Sequence, residues 1–507
     1  MRRLRALGLV RGAAITAIAA LGAGGAAAVP MAAAAAPTAA AVMPVPFSTG
    51  HILAAGHMAQ PPTTAQCEAT YKIACYQPFQ LQRAYNLGPL FAKGIEGKGE
   101  TIVIVDAFGS PTIASDLKTF DKETGLPNPP SFKVITPAGA ITTNPKTCTT
   151  TYSPTGPDLC SDYYGWTDET SLDVEWSHVM APQANILLVE TPMTETEGIY
   201  GFPSIVQAEN YVIDHHLGDV ITQSFGANES TFTSPGQIYS LRSAYYNAKA
   251  NGVTVLAASG DQGSTDYVCE PSSGCANPNN AVCCQSTRAV DWPSSDPLVT
   301  GVGGTQLTLN AEGYRTAPDQ VWDDLSSTVG VTGPVYTWGA GGGGHSTVFS
   351  RPWFQNGVAG TVGHSRGTPD IAMSAAVNGA VDFYDTTDPS VAGWGIVGGT
   401  SEASPLFSGI VALADQVAGH SLGYLNPSLY SLAESGGANG IVPISKGHNT
   451  YTFCPPADTS STTDACASSA DLVTVPGFYA NGTYNDATGW GTVNAASFVP
   501  ALAYAAG

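Results

Sequence analysis

Five short runs of β-branched and other apolar residues, each closing on turn-forming ones, set what this chain can become. They are ETIVIVDAF (Glu100–Phe108), ANILLVETP (Ala184–Pro192), GDVITQSFG (Gly218–Gly226), GVTVLAASGDQG (Gly252–Gly263) and PLVTGVGGTQL (Pro297–Leu307). Such runs read as buried strands. Helical stretches separate them, notably SLDVEWSHVMA (Ser171–Ala181), GFPSIVQAENYVIDHHL (Gly201–Leu217) and SLRSAYYNAKANG (Ser240–Gly252). Strands alternating with helices predict an α/β fold with a mostly parallel central sheet and helices on both faces. No repeat of 20 to 50 residues interrupts the pattern, so one domain is expected over 81–507.

The segment before that domain carries other signals. Residues 1–36 join a basic start (Arg2, Arg3, Arg5, Arg11) to an apolar stretch and then small residues, the pattern of a signal peptide. Residues 37–80, rich in Ala, Pro and Thr, read as a linker. No other run reaches about 18 strongly apolar residues, so stable membrane insertion is not expected and the chain reads as secreted and extracellular. Cysteine usage agrees with export: four pairs lie close in sequence, Cys67 with Cys75, Cys148 with Cys160, Cys269 with Cys275 and Cys454 with Cys466, with Cys283 and Cys284 left over. In an exported chain these read as disulfides rather than metal ligands, since no CxxC occurs. The 40 acidic against 19 basic residues argue against nucleic acid or anionic membrane as a partner and suit work in acid, where carboxylates lose their mutual repulsion.

In doubly covered sheets, chemistry gathers beyond the carboxyl ends of the strands. VGGTSEASPLF (Val397–Phe407) sets Ser401 at or beside a helix N-cap, with Pro405 tolerated in the first turn, and Gly398–Gly399 let another backbone approach. The plain reading of Ser401 is a capping serine. A nucleophilic serine needs a base, and none of the nine histidines sits in a loop suited to that role. The carboxylates offer more. Glu169 and Asp173, four apart, would share one helix face about 5 to 6 Å apart at Cβ, where sharing a proton relieves their repulsion. Their plain reading is a solvated acidic face, which Asp168 and Glu175 nearby support. Asp261 closes a strand in a glycine-flanked turn, and Asp106 ends another, where it is assigned to structure.

Taken in order on an α/β sheet, Glu169 and Asp173 in ETSLDVEW, Asp261 in ASGDQG and Ser401 in GGTSEASP resemble the sedolisins, the serine-carboxyl peptidases of subtilisin-like fold. The resemblance runs from about Ala84 to the C-terminus and takes in MAPQANILLVE, WPSSDPLVTGVGGT, WGAGGGGHSTVFSRPWFQ and RGTPDIA. It implies a monomeric peptide-bond hydrolase acting on protein or peptide substrates. In it Ser401 attacks, Glu169 moves the proton, Asp173 orients Glu169, and Asp261 serves the oxyanion hole. Glu, with a reference pKa near 4.3, can act as a base in acid where His is already protonated.

Two departures qualify the resemblance. Sedolisins carry a long folded prosegment, for which only the linker stands here. Their calcium site places carboxylates where this chain has Pro443 and Asn485. A hard cation prefers several oxygens with carboxylate charge, so no cofactor is expected, although Asp486 lies one residue away. A catalytically silent binding relative is the alternative from a different class. An esterase is disfavoured, since no GxSxG elbow surrounds Ser401.

Overall fold

Alternate residues of the first predicted strand face two different cores. In β1 (Thr101–Ala107), Ile102 and Ile104 enter one apolar cluster and Val103 and Val105 another, so the strand lies inside a sheet covered on both sides. This computed structural model describes residues 58–142, 159–194, 201–265, 287–324, 339–389, 391–436, 438–453 and 473–506. The sheet adds β2 (Phe132–Ile135), β3 (Asn185–Thr191), β4 (Val220–Gln223), β5 (Thr254–Ala258), β6 (Thr300–Gln306), β7 (Gln320–Val321) and β8 (Ile371–Ser374). Its order is β2-β3-β1-β4-β5-β6-β8, parallel throughout, while β7 runs antiparallel along the end of β6. All five strands read from the sequence are present, on the α/β plan expected.

The two faces are covered by different helices. α1 (Ile113–Thr124) and α2 (Leu159–Met180) feed the first core through Leu117, Phe120, Leu172 and Trp176. α3 (Phe202–Asp214) and α4 (Ser243–Asn251) feed the second through Phe202, Ile205, Val212 and Tyr245. α5 (Thr400–Ala418) and α6 (Ala495–Ala506) return to the first. Among the described residues no helix is long and apolar enough to cross a membrane.

Residues read as linker are folded from Met58 onward. Thr64–Tyr71 is a helix opened by a capping box at Thr63, and Cys67 and Cys75 form a disulfide. The next short strand, Cys75–Tyr76, joins a hairpin of strands Ala380–Asp385 and Gly393–Val397. An Ala, Pro and Thr composition misleads here because the segment borrows the core of that hairpin: Cys67, Tyr71 and Ile73 pack with Val377, Ala380 and Ile396. Of the other cysteine pairings, Cys148 with Cys160 has Cys148 outside the described residues, and Cys269 with Cys275, Cys454 with Cys466, and Cys283 and Cys284 lie wholly outside them, as does the signal segment.

α2 and α5 lie against each other in the first core. Ser177 Oγ and Ser408 Oγ are 3.1 Å apart, and a Cβ on Gly409 would stand 2.4 Å from the Met180 Cβ. Only glycine admits that approach. Four residues before Ser177, Asp173 lies beside the Ser401 turn through Ser224, so both helices run in the same direction from the same end. Gly409→Ala is expected to force them apart and to cost about 1–3 kcal/mol of stability, read as a lower melting temperature in thermal unfolding.

Candidate active site

Ser401 is not a capping residue. α5 begins at Thr400, its N-cap is Gly399, and no side chain caps it. Gly399 has φ +128°, and a Cβ there would stand 2.7 Å from Asp261 Oδ2, so the position requires glycine twice over. Ser401 is therefore the second helical residue, buried, with no hydrogen-bond partner for its Oγ. Pro405 sits in the second turn rather than the first, four residues beyond Ser401. Having no N–H, it leaves the Ser401 carbonyl without its helical donor. Ser224 Oγ comes to 3.3 Å from that carbonyl and stands 2.9 Å from Asp173 Oδ1, to which it donates. One hydroxyl at the end of β4 thus spans the serine helix and the acid helix. The sequence reading missed Ser224, because a lone serine after a strand has no spacing that marks it.

Asp261 follows β5 and reaches the same turn. Its Oδ1 accepts from Thr400 N at 2.7 Å and from Thr400 Oγ1 at 2.8 Å, while Gly260 N donates to Thr400 Oγ1 at 3.1 Å. A proton carried by this carboxyl therefore belongs on Oδ2, the oxygen beside Gly399.

The acids of α2 from Asp168 onward do not form a solvated face. Asp168, Glu169, Asp173 and Glu175 are all buried. Burial pushes the Asp173 carboxyl well above the usual range, and the Asp106 and Glu169 carboxyls beside it push further. Asp106, at the end of β1, is itself raised to about 7, chiefly by burial. It lies within hydrogen-bonding reach of Asp173, so one proton serves the two. Asp106 therefore belongs with the site rather than to structure alone, a placement that its distance in sequence from Asp173 hid. Opposite it in the sheet stands Glu190, also raised to about 7 by burial.

The residues at the expected calcium position do not fit that ion. Pro443 offers no side-chain oxygen. Asn485 Oδ1 accepts from Ala487 N at 3.1 Å, Thr488 N at 3.0 Å and Thr488 Oγ1 at 3.1 Å. Asp486 Oδ2 is paired with His345 Nε2 at 3.0 Å, which holds the imidazole above its ordinary range. Among the described residues no group of three or more His, Cys, Asp or Glu is placed to hold a metal.

Comparison with known proteins accords with this geometry. The profile of the subtilase family matches residues 138–428. Kumamolisin of Bacillus sp. (strain MN-32) is 30% identical over 363 residues, covering 70% of this chain and 55% of that protein. Sedolisin of Pseudomonas sp. (strain 101) is 32% identical over 252 residues, 50% of this chain and 39% of that one. Tripeptidyl-peptidase 1 of Canis lupus familiaris is 26% identical over 355 residues, 66% of this chain and 51% of that one. The chain thus spans about half the length of the curated relatives it matches. A solved Pseudomonas sedolisin, bound to two molecules of pseudo-iodotyrostatin, superposes with TM-score 0.60 at 22% identity, over 84% of this chain and 97% of that one, and shows the shared fold. The chain belongs to the subtilase family, within its sedolisin group.

Replacing Ser224 tests the bridge between the two helices. Ser224→Ala leaves the buried Asp173 Oδ1 without its donor and removes the hydroxyl that lies against the Ser401 carbonyl, and is expected to cost about 1–3 kcal/mol, measured as a shift in the denaturant midpoint.

Proposed function

We propose that the chain is a secreted serine-carboxyl endopeptidase that hydrolyses peptide bonds in acid. The observation that supports this best is the bridge at Ser224, which sets Asp173 and the Ser401 turn on either side of one hydroxyl. Ser401 Oγ, committed to no other hydrogen bond, attacks the scissile carbonyl. Glu169, one turn before Asp173, takes the Ser401 proton and passes it to the leaving amine, while Asp173 orients Glu169. Asp261, with Oδ1 held by Thr400, offers a proton on Oδ2 to the oxyanion. Two steps follow, acylation of Ser401 and hydrolysis of the acyl-enzyme by water. A binding protein without catalysis would have no use for buried carboxyls whose protonation must be maintained beside an uncommitted serine hydroxyl.

The sign of the pH dependence follows from the acids. Glu169 must be ionised to act as base, so the lower limb is set by proton uptake on the buried, coupled Glu169–Asp173 group. Asp106 is raised to about 7 and Asp173 well above its ordinary value, so the pair is protonated at acid pH and charge appears on it only as pH rises toward neutrality. The profile of kcat/KM is therefore expected to be a bell on the acid side, with macroscopic limbs that belong to the coupled group. Ser401→Ala should abolish release of peptides from denatured protein at acid pH while the fold survives, and Glu169→Gln should cost at least about 10²-fold. A bell centred at alkaline pH would overturn the carboxyl mechanism. Mass spectrometry of the products separates internal cleavage from successive release of three residues.

We propose also that the fold needs no calcium, on the grounds that Asn485 is occupied and Asp486 is paired. A chelator should leave the melting temperature unchanged; a marked drop would show that other oxygens build a site.

A further inference from the structure

α2 presents carboxyls in two directions. Glu169 and Asp173 belong to the Ser401 side. Asp168 and Glu175, seven residues apart and so on one helix face, belong to the side covered by α1 and by the hairpin of strands Ala380–Asp385 and Gly393–Val397. That hairpin runs through Gly398 and Gly399 directly into the Ser401 helix, so its seat on α2 sets where the serine arrives.

The seat is polar and strongly acidic. Trp176 Nε1 donates to the Asp382 carbonyl at 2.8 Å, and Tyr384 N donates to Glu175 Oε2 at 3.0 Å. Asp116 of α1 accepts from Thr386 N at 3.0 Å and Thr386 Oγ1 at 2.8 Å. Asp385 Oδ1 accepts from the amides of Thr387 and Asp388. The ionisable groups facing Asp168 are Asp385 and Asp388 of the hairpin and Glu169 of its own helix. Glu175 faces Asp116, Asp382 and Asp385. No Lys, Arg or His among the described residues pairs with Asp116, Asp168, Glu175, Asp382 or Asp385, and the nearby Lys122 is held by Glu123 at 2.6 Å. Two buried carboxyls in contact without a cation cannot both be ionised. Asp385 already accepts amide hydrogens, so the proton of the pair belongs to Asp168.

We propose that Asp168, as a neutral acid donating to the Asp385 carboxylate, is a positioning residue that fastens the hairpin delivering Ser401 to the helix carrying Glu169. This rests on the peptidase reading above for its catalytic consequence, but its structural consequence stands apart from it. Burial and the Asp385 and Asp388 carboxyls raise the Asp168 pKa well above its ordinary value. The folded state then binds a proton that the unfolded chain releases near pH 3.9. The contribution to stability is complete below that pH and declines as pH rises toward the folded value.

The test uses Asp168→Asn, whose amide donates to Asp385 at every pH. Melting temperature is followed from pH 4 upward in a Ser401→Ala background, where no self-digestion can occur. The expected result is that Asp168→Asn loses less melting temperature with rising pH than its parent, the gap widening toward neutrality. In the active chain its kcat profile should keep its acid limb and extend its upper limb to higher pH, with KM unchanged. Asp168→Ala, with no donor, should lose on the order of 10²-fold in kcat at acid pH. Parallel melting curves for Asp168→Asn and its parent, or a uniform offset at all pH values, would overturn the proposal. Absence of hydrolysis by the otherwise unaltered chain would instead count against the peptidase reading, since the melting arms need no turnover.

Discussion

The packing of α2 on α5 is the constraint from which the site follows. Both helices are buried over most of their length, and glycine at 409 brings their axes close enough for Ser177 and Ser408 to touch. Because they run in the same direction, Asp173, about one turn before Ser177, and the Ser401 turn, about two turns before Ser408, meet at the same end. A shift of one residue along either helix would move its side chains by about 100° around the axis and 1.5 Å along it, and would break the Ser224 link between the Ser401 turn and Asp173. The sheet supplies what the helix pair lacks. Asp106, Ser224 and Asp261 each stand at or just beyond the carboxyl end of a parallel strand, on the rim where the two helices begin their contact.

Much of this was legible in the sequence, for a physical reason. Central strands of a doubly covered sheet must be apolar on both sides, so Ile102–Val105 and Ile186–Val189 stand out as runs. Ser401 and Asp261 stand out because glycines beside them mark turns that other residues cannot make. The extent of α2 was hidden for the opposite reason: buried around its circumference, it has no polar stripe to give it a period. Its acids looked solvated for the same reason, since sequence shows the charge of a carboxyl and not its burial. Ser224 and Asp106 required the third dimension, each meeting Asp173 across a long separation in the chain. Residues 58–80 were obscured by composition, their order coming from a disulfide and from the hairpin they cover.

Two groups stand out among the buried acids. Asp296, Asp319 and Asp370 are met by Arg242, Arg315 and Arg366 at 2.6 Å, 2.8 Å and 2.7 Å. With 19 basic residues against 40 acidic ones, such pairing cannot extend to them all. Asp106, Asp168, Asp173, Glu175, Asp382 and Glu402 are buried with raised pKa values, each chiefly through desolvation, as is Glu209, at about 8.

In this second group the proton takes the place of the cation. Each such carboxyl makes the folded chain bind a proton that the unfolded chain gives up at an ordinary acid pKa, so each lowers stability as pH rises above about 4. The terms add when the groups are far apart and couple when they touch, as Asp106 does with Asp173. The proposed site, working through Glu169 and a protonated Asp261, would need acid for its reaction, as a core built on neutral carboxyls does for its stability. The same scarcity of cations therefore suits the proposed mechanism and draws the stability of the fold toward acid.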